Sequence, residues 1–206
     1  MSKKLVIVFE GIEGSGKSLH SNYLSKYLKR KKIDHISLRE PGGSKNSEKI
    51  RKLILNNKSN FNKNTDLLLY LAARSENINN LKKIYKKKVI IIDRFTDSTL
   101  AYQHYDLGVD LKLINQINNY ILETFKVDFT FLNIVNKKNM LKRLKKRKNL
   151  NRYDKFDYNF YSKVQRGFIK IASKNKNKYK IIDSNNDIEL NKVIILEKIN
   201  KLLRWI

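Results

Sequence analysis

With 206 residues, of which 41% are hydrophobic, the chain is long enough to form one domain with its own core and too apolar to be a disordered polymer. It has no cysteine, which excludes disulfides, thiolate metal sites and cysteine nucleophiles. No apolar run approaches the roughly 20 residues of a membrane span, so we expect a cytoplasmic protein. Its formal net charge is +26.

Short apolar runs alternate along the chain with segments of helical spacing. Five runs rich in Val, Ile and Phe are predicted to be strands: Leu5–Phe9, His35–Leu38, Val89–Ile92, Phe129–Val135 and Tyr179–Ile182. Strands that alternate with helices and are apolar nearly throughout predict a parallel sheet covered on both faces. Because no repeat or linker divides the chain, we expect a single doubly wound α/β domain over residues 1–206.

A glycine-rich segment follows the first predicted strand. It reads Gly11-Ile12-Glu13-Gly14-Ser15-Gly16-Lys17-Ser18, a pattern in which backbone N–H groups and a helix N-terminus bind phosphate oxygens. In this pattern Lys17 reaches the β- and γ-phosphates, and the hydroxyl of Ser18 ligates Mg²⁺. The segment predicts binding of a nucleoside triphosphate with Mg²⁺, but it leaves ATPase, GTPase, kinase and nucleotide sensor open.

The next polar motifs follow the second predicted strand. Arg39-Glu40-Pro41-Gly42-Gly43-Ser44 predicts a rigid turn that holds its first two side chains at the carboxyl edge of the sheet, where ligands of such folds bind. Farther along, Tyr70 and Arg74 share one predicted helical face, which would suit stacking on a base beside an anion. A plain turn with solvated charges accounts for most hexapeptides like the first motif. For the second, spacing alone favours a core tyrosine beside a surface arginine.

The third predicted strand runs into Asp93-Arg94-Phe95. A carboxylate at this edge, opposite a phosphate loop, can serve a metal site or orient the attacking oxygen. Arg94 beside it can bind a phosphate through two parallel hydrogen bonds. Taken alone, the segment also fits a structural Asp-Arg pair.

Four segments, in this order and spacing, resemble thymidylate kinase. They are the phosphate loop with its internal Glu13, the Arg39–Gly43 turn, the Ala72-Ala73-Arg74 helix, and Asp93-Arg94-Phe95 followed by Ser98, Ala101, Tyr102 and Gln103. The resemblance covers essentially the whole chain. It implies a P-loop nucleoside monophosphate kinase-like α/β fold, a five-stranded parallel sheet with helices on both faces. It also implies a homodimer that uses Mg²⁺ to transfer the γ-phosphoryl group of ATP to dTMP, giving dTDP and ADP.

The resemblance assigns eight side chains to the dTMP site: Glu13, Arg39, Tyr70, Arg74, Arg94, Ser98, Tyr102 and Gln103. We expect Tyr70 to stack on thymine, with Arg74 and Gln103 at the base. Tyr102 would lie against the sugar, where a ribose 2′-hydroxyl would project.

The remaining assignments concern phosphate and metal. By the same resemblance, Arg39 and Arg94 face the acceptor phosphate, and Glu13 lies near the sugar and metal-bound water. Asp93 would serve the Mg²⁺ site with Ser18, and the catalytic residues would include Lys17 and Asp93.

A catalytic cation is still required, because the phosphate loop contains no arginine. Some members of the family carry an arginine there, whereas others place arginines in a mobile lid. The stretch from Arg143 to Arg152, in a lid at about 143–154, resembles the second type. We assign Arg147 to the transferring phosphoryl group and Arg143 to ATP, although a solvated basic helix fits the same residues.

Other functions remain open on the sequence. One is a P-loop kinase for a deoxynucleoside or another monophosphate; the other is a nucleotide-dependent nucleic-acid binder that uses the phosphate loop as a sensor. The positive charge favours the second only weakly, because the lysines are spread along the chain without interleaved aromatics. We therefore expect no dedicated nucleic-acid binding. Phosphoryl transfer needs mainly positioning and charge neutralisation, so no histidine is assigned as a base.

Overall fold

Five strands rich in Val, Ile and Phe form the centre of the computed structural model, which describes residues 5–84, 87–148 and 150–203. They are β1 (Val6–Glu10), β2 (His35–Arg39), β3 (Val89–Asp93), β4 (Phe129–Ile134) and β5 (Tyr179–Asp183). Their order across the sheet is β2-β3-β1-β4-β5, and every neighbouring pair is parallel. The predicted five-stranded parallel sheet is confirmed.

The strands end differently from the apolar runs that predicted them. β1, β2, β3 and β5 each extend one residue further, onto a charged residue that still pairs with its neighbour, as Arg39 does with Asp93 and Glu10 with Leu132. β4 ends one residue earlier, because the N–H and C=O of Val135 bond to the amide of Gln165. Charged side chains are thus fixed at the carboxyl edge by the sheet itself.

Helices connect the strands. Within the described residues they are α1 (Lys17–Arg30), α2 (Lys45–Leu55), α3 (Lys63–Lys82), α4 (Thr96–Thr99), α5 (Leu111–Leu122), α6 (Lys137–Lys145), α7 (Tyr158–Ser173) and α8 (Ile188–Leu203). A π-helical segment, Leu100–Asp106, continues α4, and 3₁₀ turns lie at Arg152–Lys155 and Lys176–Lys178. No helix in these ranges is both long enough and apolar enough to cross a bilayer.

Side-chain caps explain where several helices begin. Short polar side chains accept hydrogen bonds from first-turn N–H groups of α2, α3, α5, α6 and α7, which otherwise lack partners. These caps are Ser44, Asn62, Asp110, Asn136 and Asp157.

The core lies on both faces of the sheet, because successive strand residues point to opposite sides. On one face Ile7 and Phe9 pack with apolar residues of α1 and α8. On the other, Val6 and Val8 pack with apolar residues of α3, including Ile78. The buried strands therefore hold the loops after β1, β2 and β3 close together at one edge.

Candidate active site

A cleft opens where the loops after β1, β2 and β3 meet. Its lining residues are Glu13, Lys17, Ser18, Arg39, Glu40, Pro41, Arg51, Leu55, Tyr70, Asp93, Arg94, Ser98, Thr99, Tyr102, Gln103, Arg147, Asn151 and Tyr153. The cleft brings together charged side chains suited to phosphate and aromatic side chains suited to a base.

The phosphate loop has a backbone that requires glycine. Gly11 has a φ of +141°, and a Cβ there would lie 2.3 Å from the carbonyl oxygen of Asn133 on β4. Gly16 has a φ of +87° directly before α1, which only glycine adopts without strain. The hydroxyl of Ser15 is buried without a hydrogen-bond partner among the described residues, whereas the side chain of Ile12 packs in the core. The loop geometry and the unpartnered hydroxyl of Ser15 suit an oxyanion ligand.

Lys17 begins α1 with its side chain buried. It is 6% exposed, and its Nζ donates to the carbonyl oxygen of Ile12 at 3.3 Å. The pKa of Lys17 is lowered to about 8, chiefly by burial and then by the charge of Arg94, which together outweigh the opposing charges of Asp93 and Glu13. A partly desolvated ammonium of this kind gains strongly from an anionic ligand.

Ser18 and Asp93 form the part of the cleft suited to a metal. The Ser18 hydroxyl donates to Oδ2 of Asp93, while Oδ1 of Asp93 is buried without a partner in the described ranges. No cluster of three His, Cys, Asp or Glu side chains occurs among these residues. Mg²⁺ commonly takes only one or two protein oxygens and completes its shell with waters and substrate phosphates, so this pair of oxygens fits Mg²⁺.

Glu13 links the phosphate loop to the segment after β3. Its Oε1 accepts from Nη2 of Arg94 at 2.7 Å, and its Oε2 accepts from the hydroxyl of Tyr102. Burial raises the pKa of the Glu13 carboxyl, but the charges of Arg94 and Lys17 outweigh it, so the net pKa lies below its ordinary value. Arg94 is held in place with a φ of +69°, uncommon for a non-glycine residue at a strand end.

A buried carboxylate that sequence reasoning missed supports this segment. Oε1 of Glu10 accepts the N–H groups of Phe95 at 2.7 Å and Ser98 at 3.1 Å, and its Oε2 accepts the Ser98 hydroxyl at 2.6 Å. The pKa of Glu10 is raised to about 7, chiefly by burial and then by the charge of Asp97. Its position directly after an apolar run places it at the carboxyl edge of the sheet, but nothing in the sequence indicates its partners.

The base-binding candidates Tyr70 and Gln103 line the cleft together with Tyr153. The rings of Tyr70 and Tyr102 are 6.3 Å and 5.9 Å from that of Tyr153, in edge contacts. Nε2 of Gln103 donates to Oδ2 of Asp66 at 3.1 Å, whereas its Oε1 is buried with no partner in the part of the chain that the structure describes. Sequence reasoning missed Asp66 and Tyr153.

Arg74 lies behind the described lining of the cleft. It is 2% exposed, its Nε donates to Glu40 at 2.8 Å and its Nη1 to Asn118 at 2.7 Å, and it stacks on Phe95. The interpretation of Arg74 as a surface arginine, which spacing alone favoured, is therefore wrong, because two polar partners and an aromatic ring enclose its guanidinium. Its contact with the cleft runs through Glu40.

Two further arginines lie near the turn after β2. The side chain of Arg39 is 57% exposed and is 3.4 Å from both carboxylate oxygens of Glu48. Arg51, which sequence reasoning missed among the lysines of α2, lines the cleft and donates to the carbonyl oxygen of Pro41 at 2.6 Å. Burial lowers the pKa of Arg51, and the charge of Arg39 adds to that effect. Both cations line the cleft.

The predicted lid contains arginines with different surroundings. Arg147 lines the cleft and pairs with Asp154 in the 3₁₀ turn. Arg143 lies on α6 and donates to the carbonyl oxygens of Gly14 at 2.9 Å and Ser184 at 2.6 Å. Arg152 pairs with Asp66, and Asn149 lies outside the described residues. Only Arg147 of these arginines lines the described cleft.

Comparisons with known proteins agree with this geometry. The thymidylate kinase family model matches residues 9–195. A thymidylate kinase of Thermosipho africanus is 37% identical over 90% of this chain and 92% of its own length, and one of Acholeplasma laidlawii is 36% identical over 97% and 100%. A crystal structure of thymidylate kinase from Ehrlichia chaffeensis superposes with a TM-score of 0.78 at 31% identity, covering 97% of this chain and 99% of that one. The resemblance inferred from the motifs is confirmed, and the chain belongs to the thymidylate kinase family.

Proposed function

We propose that the cleft transfers the γ-phosphoryl group of ATP to the 5′-phosphate of dTMP, giving dTDP and ADP. The observation that carries the proposal is that Lys17 and Ser18 of the phosphate loop line the same cleft as Tyr70 and Gln103. Donor phosphates and an acceptor base can therefore occupy adjoining parts of one cavity, as direct transfer requires.

The phosphate loop binds the donor. Its N–H groups and the N-terminus of α1 receive the phosphate oxygens, and the ammonium of Lys17 bonds the β- and γ-phosphates. Ser18 and Asp93 would hold Mg²⁺, which when bound neutralises charge on these phosphates. Arg143 holds the loop through the Gly14 carbonyl oxygen and so keeps the ATP site in shape.

Cationic groups bind the acceptor phosphate. Arg94 is held by Glu13 at 2.7 Å and by Ser98 at 3.3 Å, and Arg39 at the end of β2 and Arg51 on α2 also line the cleft. The attacking atom is a phosphate oxygen of low basicity, so no side chain needs to remove a proton. Positioning and charge neutralisation supply the catalysis.

Aromatic and amide groups bind the nucleoside. Tyr70 stacks on the base, Gln103 bonds its edge and Tyr102 excludes a ribose 2′-hydroxyl. Tyr102 is suited to this role because its hydroxyl is fixed on Glu13 and its ring lies 5.3 Å from the Arg94 guanidinium. Arg74 supports the base subsite from behind, through Glu40.

A panel of monophosphates tests the proposal. ADP release, measured with ATP and Mg²⁺, should give a kcat/KM for dTMP well above those for dCMP, UMP, dAMP and dGMP, and it should cease when EDTA removes Mg²⁺. The matched background is the same reaction without an acceptor, which reports ATP hydrolysis alone. A dTMP rate no higher than that of UMP or dGMP would contradict the substrate assignment.

A homodimer is the proposed assembly, as the family resemblance implies. Leu68 on α3 and Tyr120 on α5 are 58% and 83% exposed, and an interface would cover such side chains. We expect sedimentation velocity at micromolar concentration to give twice the chain mass of 24.4 kDa. A single species at the chain mass would contradict the dimer.

The cytoplasmic location stays a prediction.

A further inference from the structure

We propose that Asp66 is a positioning residue that orients the amide of Gln103, and that this orientation selects bases carrying an N3–H group. The inference rests on the proposed function, because it concerns how the same cleft chooses its acceptor. Asp66 does not react with the substrate, and it acts on the substrate only through Gln103.

The arrangement of donors around Asp66 is the first step. Asp66 lies in the first turn of α3 and is 4% exposed. Its Oδ2 accepts from Nε2 of Gln103 at 3.1 Å and from the hydroxyl of Tyr153 at 2.7 Å, while its Oδ1 faces the guanidinium of Arg152. Three donors thus converge on one buried carboxylate.

The hydrogen-bonding pattern of the Asp66 carboxylate fixes the orientation of the Gln103 amide. A carboxylate that faces a guanidinium only accepts hydrogen bonds, so Gln103 must present its NH₂ group to Asp66. The two ends of an amide point in different directions, so Oε1 of Gln103 faces away from Asp66. That oxygen is buried without a partner among the described residues, and Gln103 lines the cleft. A buried acceptor without a protein partner costs free energy unless another donor meets it, and we assign that donor to the base of the acceptor nucleotide.

The open acceptor distinguishes between pyrimidines. Thymine and uracil carry an N–H donor at N3, whereas the N3 of cytosine is an acceptor. With the Gln103 amide fixed in this orientation, dCMP would place the N3 acceptor of cytosine against the Oε1 acceptor of Gln103. A site built for one hydrogen-bond pattern strongly rejects a base with the opposite pattern. The methyl group of thymine plays no part in this step, so dUMP and dTMP are equivalent with respect to Asp66.

The substitution Asp66→Asn tests the inference, because an amide at position 66 both donates and accepts and no longer fixes Gln103. We expect the dTMP:dCMP ratio of kcat/KM to fall by about 10- to 100-fold. The dTMP:dUMP ratio should stay within about twofold of the wild-type value, since both substrates keep the N3–H group. Equal changes in both ratios, or no change in either, would overturn the inference.

Asp66 also contacts the turn at residues 152–155, so a control must separate that contact. Arg152→Gln removes the same ion pair without touching Gln103. We expect it to change turnover with all three substrates and to leave the dTMP:dCMP ratio in place. If Arg152→Gln lowers the dTMP:dCMP ratio of kcat/KM as much as Asp66→Asn does, the selectivity comes from the turn at residues 152–155 and the inference is wrong.

Two double variants complete the test. In a Gln103→Ala background, Asp66→Asn should change the dTMP:dCMP ratio no further, because the residue acts through the missing amide. The exchange Asp66→Asn with Gln103→Glu should restore the high ratio, since a carboxylate bonded to the amide now at position 66 again offers the base only an acceptor. Should Asp66→Asn alone not fold, the exchange variant decides: a low ratio in it overturns the inference. A wild-type enzyme that does not prefer dTMP over dCMP would instead refute the proposed function.

Discussion

Replacing Lys17 with methionine should lower kcat for dTMP phosphorylation by at least about 10²–10³-fold, the range found when one preorganised donor to developing charge is removed. Methionine has a similar length and no charge, so the change removes the ammonium and little else. Lys17 is 6% exposed and lines the cleft beside Ser18 and Asp93. Its charge is therefore poorly screened by water and acts at full strength on a bound phosphate.

The same substitution should not destabilise the free protein. Burial lowers the pKa of Lys17 to about 8 from 10.5, so between these values the unfolded chain binds more protons than the folded chain. The free energy of unfolding therefore rises with pH over this window, and the cost of the buried ammonium is fully present below about pH 8. At pH 7 without nucleotide we expect Lys17→Met to melt at or above the wild-type temperature. The difference should shrink as pH rises from about 8 to 10.5.

Steady-state kinetics and thermal melts together check this prediction. Lys26→Met is the matched control, because Lys26 lies exposed on the same helix and outside the described lining of the cleft. It should leave kcat within about twofold, as surface substitutions usually do. A Lys17→Met enzyme that kept more than a tenth of wild-type kcat would contradict the role given to the ammonium.

The sheet could be predicted from the sequence because a parallel strand buried on both faces is apolar almost without interruption. What the pattern did not give was the end of each strand. Glu10, Arg39 and Asp93 interrupt the apolar runs, yet their backbones still pair in the ladder. Hydrophobicity reports where a side chain lies, whereas pairing depends on the backbone of the neighbouring strand.

The phosphate loop could be predicted because its geometry depends on residues adjacent in the chain. Asp66 and Glu10 could not, because their partners are distant: Gln103 is 37 positions from Asp66, and Ser98 is 88 positions from Glu10. A single carboxylate in a helix or after a strand carries no sign of what it will bond. Arg51 was missed for a related reason, since one cation among many lysines has no distinguishing local pattern.

Arg147→Ala should lower kcat by about 10³–10⁵-fold if this residue supplies the cation for the transferring phosphoryl group, as in related chemistry. Arg147 lines the cleft with Lys17, Asp93 and Arg94, and its side chain is 39% exposed while one nitrogen faces Asp154. A guanidinium has five N–H donors, so pairing through Nη1 leaves others for phosphate oxygens. Because the charge it neutralises is greatest in the transition state, the dissociation constant of dTMP should change by less than about threefold.

Two variants separate a specific role for Arg147 from general loss of positive charge. Lys146→Ala removes the adjacent, exposed cation outside the described lining, and we expect its kcat to stay within about twofold of wild type. Arg147→Lys keeps the charge but loses the planar fork that bonds two phosphate oxygens at once, so its kcat should fall between those of the wild type and Arg147→Ala. Single-turnover rates with dTMP binding measured by calorimetry give both quantities. An Arg147→Ala enzyme with unchanged kcat would contradict the role given to Arg147 and move it to another residue of the lid.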